Sequence, residues 1–358
     1  MTDHALALQL QTQFRDLKGV VLPVGNGTKN GLSSVAIESC ARLTTGECNG
    51  IVAYDPSEFL ITALAGTPLH TLVSALEEHN QYLPFDPPLL EQNPTLGGTV
   101  AAGLSGPNRL LYGSLRDFVM EIQFIDGHGN LVRGGGKVVK NAAGFDLPKL
   151  VCGSYGRLGT LTEITLKVLP RPTGFRCLAA TSSLENCIQA AEQLTSECLP
   201  ISAIDFTPSH EGPAFQISVS LMGPQHALDS VSSKVSDMVK FGWQDCSPSD
   251  PLSAPTENGV LYRLATDVFS LPELHHSLND ADGLHPLAYT ARGHEAWCLA
   301  ETVDSQARLN DVLSEIGVSG VAIRGNIQSP HFVGDCSWVP LANRIKKAID
   351  PEGRYPDY

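Results

Sequence analysis

The nine cysteines of this chain include no C-x-x-C pair, and no two stand closer than Cys40 and Cys48. Iron–sulfur and structural zinc spacings are therefore missing, and an odd, unclustered set suits reduced thiols in the cytosol better than a disulfide framework. No stretch of about 18 apolar residues occurs, so no membrane-spanning helix is expected. The start, Met1-Thr2-Asp3-His4, lacks a basic segment followed by an apolar run, and no signal peptide is expected either. Basic side chains are scarce, 24 against 38 acidic ones, for a formal net charge of -14. Such a surface repels a phosphate backbone and anionic lipid, which argues against nucleic acid as a partner. It also repels a carboxylate substrate, so any anion site has to be built locally from a few Lys, Arg and backbone N–H groups. There is no internal repeat and no low-complexity tract.

What is present is the balance of a folded protein, 42% hydrophobic and 17% charged over 358 residues, long enough for two domains. Leu6, Leu10, Phe14 and Leu17 have helical spacing, and Val20-Val21-Leu22-Pro23 reads as a short buried strand. Gly50–Tyr54 and Phe59–Ala65 read as strands, with Pro56-Ser57-Glu58 as a helix start between them, and Leu69, Leu72, Val73 and Leu76 form one face of a helix. From Pro84 to Gly113 the chain is rich in Gly, Pro and Asn with little amphipathic period, and a loop of that length usually has a function. Phe118–Ile125 and Leu131–Arg133 flank Asp126-Gly127-His128-Gly129-Asn130, a hairpin signal, and Thr160–Leu169 alternates like a strand. Pro170-Arg171-Pro172 marks a domain boundary. Beyond it, Leu184–Leu194 and His226–Val239 read as helices and Phe215–Leu221 and Gly259–Ala265 as strands, an α+β layer.

Three segments concentrate glycine where main chain must come close to something. The first is Pro23-Val24-Gly25-Asn26-Gly27-Thr28-Lys29-Asn30, directly after a strand; its N–H groups can form a nest for phosphate oxygens, to which Thr28 and Lys29 add a hydroxyl and a charge. A tight turn between strands is the bland reading of such a loop. The second runs from Pro94 to Pro107, followed by Tyr112-Gly113 and Arg116-Asp117, and its small residues leave main chain bare for a planar ring and a pyrophosphate. The third is Lys140–Leu147 with Gly153–Glu163. None of them is a Walker sequence or G-x-G-x-x-G.

In this order the three segments resemble the FAD-binding fold shared by vanillyl-alcohol oxidase and p-cresol methylhydroxylase. More narrowly, the run from Pro23 to Pro172 resembles the FAD-binding E subunits of bacterial glycolate oxidases. Tyr54-Asp55-Pro56-Ser57-Glu58, Leu83-Pro84-Phe85-Asp86-Pro87-Pro88, Gly103-Leu104-Ser105-Gly106-Pro107, Arg116-Asp117-Phe118-Val119 and Val139–Asp146 carry the likeness. The resemblance covers about two fifths of the chain strongly. It implies an α+β architecture: a PCMH-type FAD-binding domain of two α+β subdomains over 1–172, a smaller α+β cap domain over 173–340, and a C-terminal helix and tail over 341–358.

The same resemblance implies the site. Val24, Gly25, Asn26, Gly27, Thr28 and Lys29 would wrap the FAD pyrophosphate. Pro87, Thr95, Gly97, Gly98, Thr99, Ala102, Gly103, Ser105 and Gly106 would line the diphosphate and flavin ring. Gly156, Gly159, Thr160 and Leu161 would meet the adenosine end, with backbone at Thr160 pairing to adenine. Asn26 stands where relatives have a third glycine, and Asn tolerates positive φ. No His or Cys lies within 23–34 or 92–117, so the FAD is expected to be non-covalent.

The catalytic residues stay unassigned, with Lys140 and Asn141 as candidates for facing flavin N5 or a substrate. No metal is expected: His275, His276, His285 and His294 lack the spacing of metal-dependent relatives, and His275-His276 reads as a solvated helix face. Arg292, Trp297 and Arg324 read as surface or packing residues before an anion site. The function implied is an FAD-binding subunit supporting glycolate oxidation, with a catalytic FAD subunit and an iron–sulfur subunit as partners and a small 2-hydroxy acid as the complex's substrate. The implied location is the cytoplasm, with attachment to the inner face of the cell membrane through partners. A self-sufficient D-2-hydroxy-acid dehydrogenase and a structural subunit that has lost FAD are the alternatives.

Overall fold

The stripe of Leu6, Leu10, Phe14 and Leu17 forms a helix, Asp3–Asp16, with Leu10 and Phe14 buried in a small core shared with Val21, Leu43, Leu64, Ile125 and Tyr355. The structure is a computed structural model that describes residues 3–33, 40–136, 145–209, 212–248, 250–254, 256, 259–325, 327 and 330–358. Two compact units result. One comprises Met1–Gly106, Gly113–Arg171 and Ser337–Tyr358, and the other Pro107–Tyr112 and Pro172–Cys336.

In the first unit Val21–Val24 pairs in parallel with Ala41–Thr44, Val21 opposite Ala41. A five-stranded antiparallel sheet has the order Ile51–Asp55, Leu60–Leu64, Thr160–Lys167, Val119–Ile125, Leu131–Gly135. Its central strand, Thr160–Lys167, is buried along most of its length. Pro56-Ser57-Glu58 does not start a helix. Asp55 Oδ1 accepts the N–H groups of Ser57 (3.0 Å) and Glu58 (3.3 Å), closing a turn that returns the chain antiparallel to Ile51–Asp55.

Within the glycine-rich 84–113 stretch, Leu96–Ala102 is a helix, against the low propensity of Gly97 and Gly98. Local tertiary bonds override propensity there: Thr95 caps the helix by accepting the Gly98 N–H (3.2 Å), and Gly97 N–H donates to Ala65 O (2.7 Å).

The C-terminal segment packs into the first unit. The Val339–Ile349 helix carries Lys346, whose buried Nζ lies 2.7 Å from Asp350 Oδ2. Asp350 also accepts the N–H groups of Arg354 (2.7 Å) and Tyr355 (2.9 Å), and Arg354 lies over the Phe14 ring while donating to Phe14 O, Leu17 O and Gly19 O.

The second unit is built on a nine-stranded antiparallel sheet among the described residues, in the order Gln244–Asp245, Gly174–Ser182, Phe215–Gly223, Ile201–Pro208, Leu284–Thr290, Glu295–Ala300, Val260–Ala265, Ser319–Gly325, Phe332–Gly334. Chain order reveals a repeat that no sequence period announces. Gly174–Asp245 runs strand, helix, strand, strand, helix, strand, and Val260–Gly325 runs the same way. In each half the first strand lies between the third and the fourth, and the two halves join through the single pairing of Phe206 with Tyr289. The halves differ at their fourth strand, two residues long in the first and seven in the second.

Candidate functional site

Missing Cβ atoms let three segments of the first unit converge. A Cβ on Gly25 would stand 2.3 Å from Thr95 Oγ1, one on Gly98 2.9 Å from the same atom, and one on Gly97 2.8 Å from Ala65 Cβ. Gly27, with φ +70°, has nothing within 4 Å of its Cβ direction, so that side of the loop faces open space. Between the segments lies a cleft open to solvent.

Val24, Gly25, Asn26, Gly27, Thr28 and Lys29 form one wall, Thr95, Gly97, Gly98 and Ala102 a second, and Gly156, Gly159 and Leu161 a third. Asn26 Nδ2 donates to Asn93 O (2.7 Å), tying the first loop to the turn before the second segment, a tether a third glycine would lack. Thr45, Ala65, Ser154 and Tyr155 also line the cleft. Ser154 and Tyr155 sit between glycines and were legible as part of that loop; Ala65, a strand-end residue, carries no sequence signal.

Six expected residues lie off the cleft walls. Thr160 N–H points to Tyr355 Oη (3.1 Å), so that group supports the C-terminal segment rather than pairing with an adenine edge. Ser105 Oγ accepts the Leu115 N–H (2.8 Å). Gly103 ends the Leu96–Ala102 helix at φ +62°, and Gly106 N–H donates to Phe85 O (2.9 Å), with no room for a Cβ against Asp86. Pro87 sits in irregular chain between the turns at Pro84-Phe85 and Pro88-Leu89. Thr99 is fully buried on the Leu96–Ala102 helix. Lys140 and Asn141 lie outside the described residues, and Asp146 caps the Leu147–Val151 helix through Lys149 N–H (3.2 Å).

Lys29 dominates the electrostatics of the cleft as the one charged side chain on its walls among the described residues. It is buried, its Nζ donates to Thr28 Oγ1 at 3.0 Å, and no carboxylate pairs with it among the described residues. Burial without a counter-charge pulls its pKa from 10.5 down to about 8. Ser154 Oγ, on the third wall, is buried and has no hydrogen-bond partner among the described residues. A lone buried cation, a glycine nest and an unused hydroxyl fit an anionic dinucleotide: diphosphate at Thr28 and Lys29, the rest against bare main chain.

The second unit has its own polar cluster. Glu295 pairs with Arg109 and lies 3.8 Å from Arg263; Trp297 Nε1 donates to Thr290 Oγ1 (3.1 Å), and Arg324 donates to Leu252 O. His275 is half-buried, its Nδ1 2.7 Å from Tyr289 Oη and its ring edge-on to Phe215, so it faces the sheet rather than solvent; His276 is exposed. Asp205 is buried and accepts the Ala291 N–H (3.1 Å). Burial, with Glu295 nearby, pushes its carboxyl up to about 7 against the lowering effect of the Ala291 bond. Between about pH 4 and 7 the folded chain then holds a proton that the unfolded chain has released, so this group makes stability fall as pH rises through that window. Asp205→Asn keeps an acceptor for Ala291 and removes the ionisation. Its melting temperature should exceed the parent's by a margin that widens from pH 5 to pH 8; an equal margin at both would refute the assignment.

Residues 10–135 match the family described as FAD binding domain. The glycolate oxidase subunit GlcE of Escherichia coli (strain K12) is 49% identical over 155 residues, 43% of this chain and 44% of that protein. The D-lactate dehydrogenase of Anaerostipes hadrus is 32% identical over 184 residues, 51% of this chain and 38% of that protein. This chain thus spans less than half the length of either relative. A solved alkyldihydroxyacetonephosphate synthase shares the fold, with a TM-score of 0.69 at 16% identity over 99% of this chain and 75% of that one. The match to the FAD binding domain covers the glycine segments around Gly25 and Gly97 and the buried Lys29, so the chain carries an FAD binding domain similar to those of the glycolate oxidase subunit and the D-lactate dehydrogenase.

Proposed function

We propose that this chain is the FAD-binding subunit of a glycolate oxidase type of complex, supporting oxidation of a small 2-hydroxy acid such as glycolate to the 2-oxo acid. The observation that carries the reading is Lys29, a buried cation without a carboxylate partner among the described residues, set in a nest of glycine main chain. Gly25, Gly27 and Thr28 orient the diphosphate and Lys29 neutralises it; Gly97, Gly98 and Ala102 leave room for rings; Ser154 offers a hydroxyl. When bound here, FAD would supply electron relay within the complex, the hydride of the 2-hydroxy acid going to the flavin of the catalytic partner.

The family likeness lies mainly in the first half of the chain, which supports a division into a flavin domain and a second, partner-adapted α+β domain. The partners in this reading are a catalytic FAD subunit and an iron–sulfur subunit, because the nine cysteines include no C-x-x-C pair. The location proposed is cytoplasmic, at the inner face of the membrane through those partners; no helix among the described residues is long and apolar enough to cross a membrane.

Purification alone and with the partner subunits tests this. The solitary chain should be yellow, release its flavin on acid or heat precipitation, and keep that flavin oxidised when glycolate is added; dye reduction by glycolate should need the complex. Turnover of glycolate or D-lactate by the chain alone would make it a self-sufficient dehydrogenase. A colourless chain that ignores added FAD would make it a structural subunit.

A further inference from the structure

The first half of the second unit's repeat has a weak outer edge. Its fourth strand, Gln244–Asp245, makes two residue pairs with Gly174–Ser182, whereas the equivalent strand of the second half, Ser319–Gly325, pairs along the whole of Val260–Ala265. Immediately past the short strand comes Cys246. The register, Leu178 opposite Asp245 and Ala179 opposite Gln244, puts Cys177 directly opposite Cys246. Cys246 N–H donates to Cys177 O at 3.0 Å, and the two sulfurs lie 2.9 Å apart. Directly opposed residues of this kind have Cα atoms roughly 5.5 Å apart, inside the span a disulfide bridges.

The two thiols differ in surroundings. Cys177 is buried, with Ser220 Oγ donating to its sulfur at 3.7 Å, and burial pushes its thiol up to about 12. Cys246 is partly exposed. The other seven cysteines are free and offer no such pair: Cys187 and Cys298 are buried singly, and Cys198 is exposed singly.

We infer that Cys246 and Cys177 form a redox modification site, a dithiol that hydroperoxides convert to a disulfide stapling the short outer strand to its neighbour. Cys246, the accessible sulfur, attacks the peroxide O–O bond as a thiolate; its sulfur becomes a sulfenic acid and hydrogen peroxide leaves one oxygen as water. Cys177 sulfur then attacks the Cys246 sulfur, the S–O bond breaks, the hydroxyl takes up the Cys177 proton and leaves as water. Two thiols and one peroxide thus give one disulfide and two waters. A dithiol reductant reverses the change by exchange. The bridge links residues 69 apart in sequence, and so removes freedom from the unfolded chain while fixing an edge that two backbone pairs hold poorly. This site is independent of flavin binding and of the function proposed above.

The test uses the full chain, reduced and then treated with a few equivalents of hydrogen peroxide, alkylated and digested for mass spectrometry. Cys177 and Cys246 should be recovered as one linked pair, 2 Da lighter than the two thiols and restored by dithiothreitol, while Cys187 and Cys298 stay reduced and Cys198 is oxidised without an intramolecular partner. The oxidised protein should melt higher than the reduced one by about 5 °C or more, a shift absent in both Cys246→Ser and Cys177→Ser. Cys246→Ser should leave Cys177 reduced, and Cys177→Ser should leave Cys246 as a trappable sulfenic acid. Recovery of Cys246 as unlinked sulfinic acid in the parent, or of Cys177 linked to any other cysteine, would overturn the inference.

Discussion

Lys29→Met lowers the affinity for FAD by on the order of 10²-fold or more, while the flavin-free protein becomes more stable than its parent. The two effects have one cause. In the absence of a ligand the Lys29 ammonium is buried with a single hydroxyl for company, and a folded pKa of about 8 against 10.5 means the charged form is disfavoured by up to about 3 kcal/mol. Below pH 8 that cost is present in full. From pH 8 to 10.5 the unfolded chain holds a proton the folded chain has lost, so stability rises with pH across that window and Lys29 ceases to cost anything above it. A bound diphosphate reverses the balance, because the same ammonium then neutralises an anion in a water-poor cleft, and truncating one partner of such a pair costs about 2–5 kcal/mol. Titration of apo-protein with FAD, followed by flavin fluorescence, and melting with and without FAD at pH 7.5 check both halves. Equal affinity in parent and variant would place the diphosphate elsewhere.

Tyr355→Ala destabilises the first unit by about 3–5 kcal/mol, enough to lower its melting temperature by 10 °C or so. The ring is fully buried and stacks on Phe14 at 5.3 Å; the hydroxyl donates to Ile125 O (2.7 Å) and accepts the Thr160 N–H. Removing the side chain therefore leaves a cavity and two unmet backbone groups. Tyr355→Phe separates these terms: it keeps the packing and strands the two backbone groups, for a loss of about 1–3 kcal/mol. Since Gly159 and Leu161 flank Thr160 on the cleft, both variants should also weaken flavin retention, Ala more than Phe. Thermal denaturation and the flavin content of purified protein are the measurements. A Tyr355→Ala protein that melts with its parent would show that the C-terminal segment does not close this core.

Much of the candidate cleft's lining was legible because glycine is a statement about backbone. At Gly25, Gly97 and Gly98 a Cβ would collide with Thr95 or Ala65, so the loops that looked bare in sequence are the ones that meet. Lys29 was legible as a charge beside the nest, but its isolation was not, since that depends on which residues come near in space. Thr160 shows the opposite failure. It has the right strand and neighbours, yet its N–H is taken by Tyr355, 195 residues further along the chain. The Leu96–Ala102 helix was hidden for a similar reason: its glycines argue against a helix, and the bonds that form it come from Thr95 and Ala65.

Amphipathic period, turn chemistry and small-residue loops are local properties, so the features that depend on them can be read along the chain: the first helix, the Asp126–Asn130 hairpin, most of the strands, and three bare stretches of main chain that line one cleft. Long-range pairing has no local signature. Folding in three dimensions is what brings the C-terminal segment back to the first unit through Asp350, Arg354 and Tyr355, duplicates the strand–helix pattern of the second unit and sets Cys177 opposite Cys246. In each of these the interacting groups are brought together by the register of strands and the closure of a core, which no window of neighbouring residues contains.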